Sequence, residues 1–261
     1  MFGQELANGR TNLNGRIFYW LFGLDHLGQR IRAFHVFKCL DLLLIQPKRI
    51  LDAGSGDGSF CFALAKRYKT AEIVGLELDR KLVEDSQRIL YKSGCKNLTI
   101  KQGDIVCDNM EELFDLIICI DVLEHIPDDT AALKNLYSSL KKKGILLLHV
   151  PQRHQLNRWV FKAKQIERQA DHVRDEYTIE EITSKIIAQG FIIKKTRYTF
   201  GFWTSLVRNL AGKIEEVRFF KPALKLVAFP LLFFIARFDL LTTNKRWRQG
   251  FLLELQKDSS E

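Results

Sequence analysis

Long uncharged apolar runs are missing from this 261-residue chain, and so are paired cysteines, low-complexity tracts and internal repeats. No stretch of about 18 apolar residues is free of charge, which excludes a simple membrane-spanning helix. The nearest approach, Ala223–Leu241, contains Lys225, Pro230, Arg237 and Asp239. Each charge near a bilayer centre costs roughly 2.5–3.5 kcal/mol on insertion scales. The five cysteines, Cys39, Cys61, Cys95, Cys107 and Cys119, form no CxxC pair, and most lie in apolar runs such as LIICI around Cys119. That pattern reads as buried thiols in a reducing compartment, and no zinc or other metal site is expected. With five prolines and no biased tract, disorder is expected only at the ends, such as the terminal DSSE. The opening MFGQELANGRTNLNGR lacks the basic start and continuous apolar core of a signal peptide. The expectation is a cytoplasmic protein that can rest peripherally on a membrane.

What the chain does have is a globular composition, 46% hydrophobic and 27% charged, and a surplus of cations. Forty Lys and Arg against 31 Asp and Glu leave a formal charge of +9. A surplus of this size attracts anions, whether acidic lipid, nucleic acid or an anionic small molecule, and says nothing about fold.

Residues 27–45 carry apolar side chains at three- and four-residue spacing, as an amphipathic helix does, and Pro47 closes it. From Arg49 the pattern alternates between strand and helix. Strands are expected at 49–54, 72–78, 97–104, 114–121 and 144–151, and helices at 59–69, 80–93 and 128–142. Such βαβ alternation argues for an α/β fold with a parallel, doubly wound sheet and right-handed crossovers. A helix over 178–189 and strands over 190–200 and 250–257 follow a basic connector. About fifty residues separate the last two strands, far more than a hairpin turn needs. Three parts result: a helical segment over 1–46, an α/β domain over 47–200 and 250–258, and a helical insertion over 201–249.

LDAGSGDGSF (51–60) lies directly after a strand and before a helix, so its glycines let the backbone turn sharply and approach a ligand. The next strands end in GLELD, QGDI and FDLIICID, which set Glu77, Asp104 and Asp121 on one carboxyl-end rim, where open α/β sheets bind ligands. An acid at position 77 can accept both hydroxyls of a ribose. Asp57 inside the loop would repel a diphosphate, which argues against a dinucleotide.

Together, LDAGSGDG, GLELD, QGDI and FDLIICIDVLEHIPD resemble the class I S-adenosylmethionine-dependent methyltransferases, over roughly residues 49–200 and the last strand. The resemblance implies a Rossmann-like sheet of seven strands, mostly parallel, with an antiparallel last strand, and S-adenosyl-L-methionine as cofactor. Asp52, Gly54 and Gly56 would line its methionine part, Glu77 would hold the ribose, Asp104 and Ile105 the adenine, Leu78 would be a further cofactor contact, and Asp121 lies on the same rim. Many relatives carry Asp where Glu77 stands.

In-line methyl transfer gains most from positioning, and an oxygen acceptor gains further from a base. His125, in DVLEHIPD after the fourth strand, is the first candidate, and His172 in the connector the second. Asp171, Arg174 and Tyr177 are possible substrate contacts, although Thr178 and Glu181 also fit a capping box at a helix entry. The expected acceptor is a small or lipid-linked molecule, methylated at oxygen. The apolar, basic-flanked insertion is expected to carry Phe229, Leu232, Phe233 and Phe234 as a greasy surface, facing an anionic membrane, a lipid-like substrate, the protein's own core or a second copy in a homodimer. An RNA methyltransferase is an alternative suggested by the charge, but no nucleic-acid module is recognisable and no Asn-Pro-Pro-aromatic signature follows the fourth strand. A non-catalytic cofactor-binding adaptor is the other alternative.

Overall fold

A computed structural model of the chain describes residues 27–108, 113–152, 173, 176–207, 210, 228, 231–240 and 249–258. The described residues cluster into two compact units. One draws on Ile45–Arg197 and Gly250–Glu261, the other on Met1–Leu44 and Tyr198–Gln249.

The first unit is built on a seven-stranded sheet. Its strands are β1 (Arg49–Ala53), β2 (Glu72–Glu77), β3 (Leu98–Gln102), β4 (Phe114–Ile120), β5 (Leu140–Pro151), β6 (Phe191–Thr199) and β7 (Gly250–Lys257). Their order is β3-β2-β1-β4-β5-β7-β6. The pairs β1–β2, β2–β3, β1–β4 and β4–β5 are parallel, and β7 runs antiparallel to β5. The apolar runs of β1 and β4 are buried nearly end to end, as strands covered on both faces should be. Strand order reverses at β1 and β4, so the carboxyl ends of these two strands border the crevice where such sheets take ligands.

Among the described residues four helices accompany the sheet: α2 (Ser59–Arg67), α3 (Arg80–Ser93), α4 (Asp129–Ser139) and α5 (Ile179–Ala188), with α1 (Leu27–Leu42) in the other unit. The starts of α3, α4 and α5 follow from capping residues that satisfy the first amide hydrogens. Asp79 accepts from Lys81 and Leu82, Asp128 accepts from Ala131, and Thr178 with Glu181 forms the expected capping box.

Sequence and structure part at the end of α4. The helix stops at Ser139, short of the expected 142, and Leu140 already pairs with Phe114 as the first residue of β5. Both side chains are fully buried, and the β4–β5 register shifts just beyond them. Lys141 therefore reaches Asp115 across the sheet at 2.8 Å and does not serve a helix terminus. Burying Leu140 on the sheet outweighs the weak helical preference of the three lysines that follow.

In the second unit, α1, helical residues 202–207 and 231–236 and a single turn at Arg237–Leu240 supply the described structure. Ile31, Phe200, Val207, Leu232 and Ala236 form its core. Leu232, expected on a greasy surface, is thus buried, and Phe233 is half-buried against that core. Phe234 does stand out into solvent, at 60% exposure, while Phe229 lies outside the described residues. Asp239, one of the charges that argued against a membrane span, is wholly buried. Its carboxylate accepts from the amides of Gly201 (2.9 Å), Trp203 (3.0 Å) and Thr204 (2.8 Å). No described helix is long and apolar enough to cross a membrane.

Candidate active site

The carboxyl ends of β1, β2 and β3 are tied together by backbone bonds before any side chain is considered. The amides of Gly54 and Ser55 both donate to the Leu76 carbonyl, at 2.8 and 2.9 Å, and the Gly103 amide donates to the Glu77 carbonyl at 3.0 Å. Gly54 adopts φ +74°, and a Cβ there would stand 2.5 Å from a methyl of Val122, so the first turn closes only on glycine. Gly56, at φ +55°, faces open space, with nothing within 4 Å of where a Cβ would be. That leaves its backbone open to close approach by a ligand.

Glu77 locks onto this loop. One carboxylate oxygen accepts from the Gly56 amide at 2.7 Å and the other from the Asp79 amide at 3.0 Å. Both bonds orient the carboxylate, and each oxygen keeps a lone pair for a further donor. Leu78, next to it, is 64% exposed, an unusual position for leucine beside a strand end. At the end of β3, Asp104 accepts from the Val106 amide (2.8 Å), and its own amide donates to Asp108 (2.7 Å). Ile105 is buried, and its carbonyl is held by Asn135, which also binds the Asp108 carbonyl.

Asp52 sits beneath the loop rather than in it. It is buried, and its carboxylate accepts from the Cys61 thiol at 3.1 Å. Burial pushes the Asp52 carboxyl up to about 7; the thiol hydrogen bond opposes the rise, while the carboxylates of Asp57 and Glu77 add to it. The Cys61 thiol is pushed up as well, by burial first and then by Asp52. Residues 51–60 contain two acids and no base, so the loop is a poor phosphate cradle and a good neighbour for a cation.

On the other side of the switch point, Asp121 follows β4 with φ +54°, a conformation rare outside glycine. His149 helps hold it there: the Asp121 amide donates to the His149 carbonyl at 3.0 Å, and its carboxylate pairs closely with the His149 ring. His149 is buried in β5 opposite Ile120. His125 ends the single turn Leu123–His125 and is half-buried, with its amide on the Val122 carbonyl.

Of the residues singled out from the sequence, Asp52, Gly54, Gly56, Glu77, Leu78, Asp104, Ile105 and Asp121 all fall at or beneath the ends of four adjacent strands. His125 lies one turn beyond. His172, Asp171 and Arg174 lie outside the described residues. Tyr177 is buried, and its hydroxyl donates to Asp129 (2.7 Å) and the Leu123 carbonyl (3.2 Å), so it anchors the turn that carries His125. Sequence reasoning missed Cys61 and His149 as partners. The first depends on α2 folding back over β1, the second on the register of two apolar strands, and neither leaves a local pattern.

Known proteins are similar to this chain. The family described as "Methyltransferase domain" matches residues 46–200. The chain is 31% identical over 134 residues to the trans-aconitate 2-methyltransferase of Deinococcus radiodurans, covering 46% of this chain and 48% of that protein. It is 27% identical over 135 residues to a ubiquinone biosynthesis O-methyltransferase of Coxiella burnetii, covering 49% and 53%. The match thus spans about half the length of these curated relatives. Among solved structures, Haemonchus contortus phosphoethanolamine N-methyltransferase 2 in complex with S-adenosyl-L-methionine superposes with TM-score 0.66 at 18% identity, over 99% of this chain and 60% of that one. At that identity the likeness speaks for the fold.

Proposed function

The chain belongs to the class I S-adenosylmethionine-dependent methyltransferases, and from that premise we propose that it methylates an oxygen of a small or lipid-linked acceptor by in-line displacement. The observation that carries this reading is the junction of Gly56 and Glu77. An oriented carboxylate stands beside a glycine backbone open to a ligand, on a loop without a basic residue.

The residues fit the cofactor. Glu77 would accept from the ribose hydroxyls with its remaining lone pairs. Leu78 and Ile105 would flank the adenine, and Asp104 would accept from its amino group. Asp121 would face the amino-acid end, and Asp52 and Gly54 would support the loop from below. When bound, S-adenosyl-L-methionine supplies a methyl group on a cationic sulfonium. An acidic loop suits that cation better than it would suit a diphosphate.

The chain's own contribution is to orient donor and acceptor, which in well-aligned reactions is worth up to roughly 7–11 kcal/mol. His125 would take a proton from an acceptor hydroxyl. It follows the same strand end as Asp121, and its turn is pinned by Tyr177. His172 stays a second candidate for that role from sequence alone.

Titration calorimetry with S-adenosyl-L-methionine and its demethylated product tests the cofactor half. A dissociation constant tighter than about 1 mM, close to −4 kcal/mol, is expected for at least one of them. Absence of binding by both sinks the reading. Methyl transfer to a panel of hydroxylated acids, phenols and their lipid-linked forms tests the acceptor half. Transfer confined to amines would move the acceptor atom from oxygen to nitrogen.

A further inference from the structure

Charge in this protein is segregated by unit. The residues of Ile45–Arg197 and Gly250–Glu261 include 26 Lys and Arg against 25 Asp and Glu, whereas those of Met1–Leu44 and Tyr198–Gln249 include 14 against 6. The second set therefore holds +8 of the net +9, although it is much the smaller. One of its six acids, Asp239, is buried under three amide hydrogens and offers nothing to the surface.

Within that unit, two arginines rest on aromatic rings and find no carboxylate among the described residues. Arg30 stacks on Phe233, with its guanidinium carbon 4.8 Å from the ring centre, and Arg237 stacks on Phe34 at 4.9 Å. The two rings meet edge to face at 6.3 Å. One guanidinium nitrogen of Arg30 is buried with no hydrogen-bond partner. Desolvation without a counter-ion lowers the pKa of that guanidinium, so a bound anion there would relieve a standing cost.

Beside the arginines runs an exposed apolar stripe. Leu231, Phe234 and Phe238 are 59%, 60% and 42% exposed, and they recur at the three- and four-residue spacing of one helix face. The opposite face of the same segment, Leu232 and Ala236, fills the unit's core. Large side chains left exposed on a stripe flanked by cations match what an interfacial helix presents to a bilayer: apolar groups at the acyl boundary and arginines at phosphate depth.

We propose that α1 and residues 231–240 dock on an anionic phospholipid bilayer, with Leu231, Phe234 and Phe238 entering the interface and Arg30 and Arg237 meeting lipid phosphates. This does not rest on the acceptor reading, because docking requires no methyl transfer. Charge favours lipid over a second copy of the chain, since the described residues of this unit include the cations Arg30, Arg32, Lys38 and Arg237 against Asp41 and the buried Asp239, and two copies would set like charges together.

Vesicle flotation of the full chain tests it, with vesicles of phosphatidylcholine alone and of phosphatidylcholine containing about one third phosphatidylserine. Binding is expected to the anionic vesicles only, and to fall steeply when salt is raised from about 0.1 to about 0.5 M. The double variant Leu231→Ser/Phe234→Ser should lose about tenfold or more in vesicle partitioning, and so should Arg237→Glu. Far-ultraviolet dichroism and cofactor titration should remain those of the parent, which separates lost docking from lost folding. No binding to anionic vesicles overturns the proposal, and so does undiminished binding by both variants. Two further results also overturn it: duplex RNA competing the protein off vesicles, which would assign the cations to nucleic acid, and a concentration-dependent dimer in sedimentation that Leu231→Ser/Phe234→Ser dissolves, which would assign the stripe to a second copy.

Discussion

Asp121 and His149 hold each other across the β4–β5 ladder: the carboxylate pairs with the ring, and the Asp121 amide donates to the His149 carbonyl. The pair keeps a non-glycine residue at φ +54° on the rim of the ligand crevice. Strain of roughly 1–3 kcal/mol at such a position persists only where the surroundings enforce it. His149→Leu fills the buried volume but leaves the carboxylate without its ring partner. A loss of about 1–3 kcal/mol in urea denaturation is expected, with weaker cofactor binding by the folded fraction. Unchanged stability would mean that the ring does not hold Asp121.

The Glu77 carboxylate ties the loop after β1 to the end of its own strand through the Gly56 and Asp79 amides, and its remaining lone pairs would face the proposed ribose. Glu77→Ala should weaken S-adenosyl-L-methionine binding by about 1–3 kcal/mol, roughly 5- to 150-fold, in calorimetry. Glu77→Asp keeps the charge, and most of the affinity should return. Equal affinity in the alanine variant would place the cofactor elsewhere.

His125 is proposed as the acceptor's base, so its loss should show in turnover and not in donor binding. His125→Ala should reduce kcat by about 100-fold or more while the S-adenosyl-L-methionine dissociation constant stays within about twofold. A fall in donor affinity with kcat unchanged would make His125 part of the cofactor wall instead.

The parallel core was legible because β1 and β4 are apolar on both faces, and α3 was legible to the residue because Asp79 and Gly94 mark its ends. Glu77 and Asp104 could be placed since each follows a strand whose end the apolar run defines. Asp52 was expected from the resemblance to line the methionine part of the cofactor; its bond to Cys61 was not legible, because a short buried strand does not show which helix residue its side chain meets. The lysines at 141–143 suit a helix C-terminus locally, but the Phe114–Leu140 pairing, invisible to a local reading, draws them into β5. Asp239 illustrates the same limit. As a letter it is a charge that spoils an apolar run, and in the fold it is a cap for residues 202–207.

That cap gives a sharp expectation. Asp239→Ala strips three buried or half-buried amide hydrogens of their acceptor at once, and each unsatisfied donor costs about 1–3 kcal/mol. The 198–249 segment should become the first site cut in limited proteolysis, and the melting temperature should drop. Asp239→Asn, with one acceptor oxygen left, should fall between variant and parent. Parental protease resistance in Asp239→Ala would show that the cap is dispensable.

Asp52 makes the stability of the fold depend on pH in an unusual direction. Its folded-state pKa of about 7 stands above the ordinary carboxyl value, chiefly through burial. The folded protein therefore binds more protons than the unfolded chain between about pH 4 and pH 7, and stability must fall as pH rises through that window. Below the unfolded value both states carry the proton and the stability is fully present; above about 7 both have lost it and the slope ends. Between pH 5 and pH 8 the group accounts for a loss of roughly 2–3 kcal/mol. Asp52→Asn keeps the shape and a hydrogen-bond acceptor for Cys61 but cannot ionise. Urea denaturation of both proteins at pH 5 and pH 8 isolates the effect, because every other titrating group cancels in the comparison. The parent should lose about 2–3 kcal/mol more than Asp52→Asn over that interval. Parallel pH profiles for the two would mean that Asp52 ionises at its usual pH, and that water or a cation reaches it beneath the glycine loop.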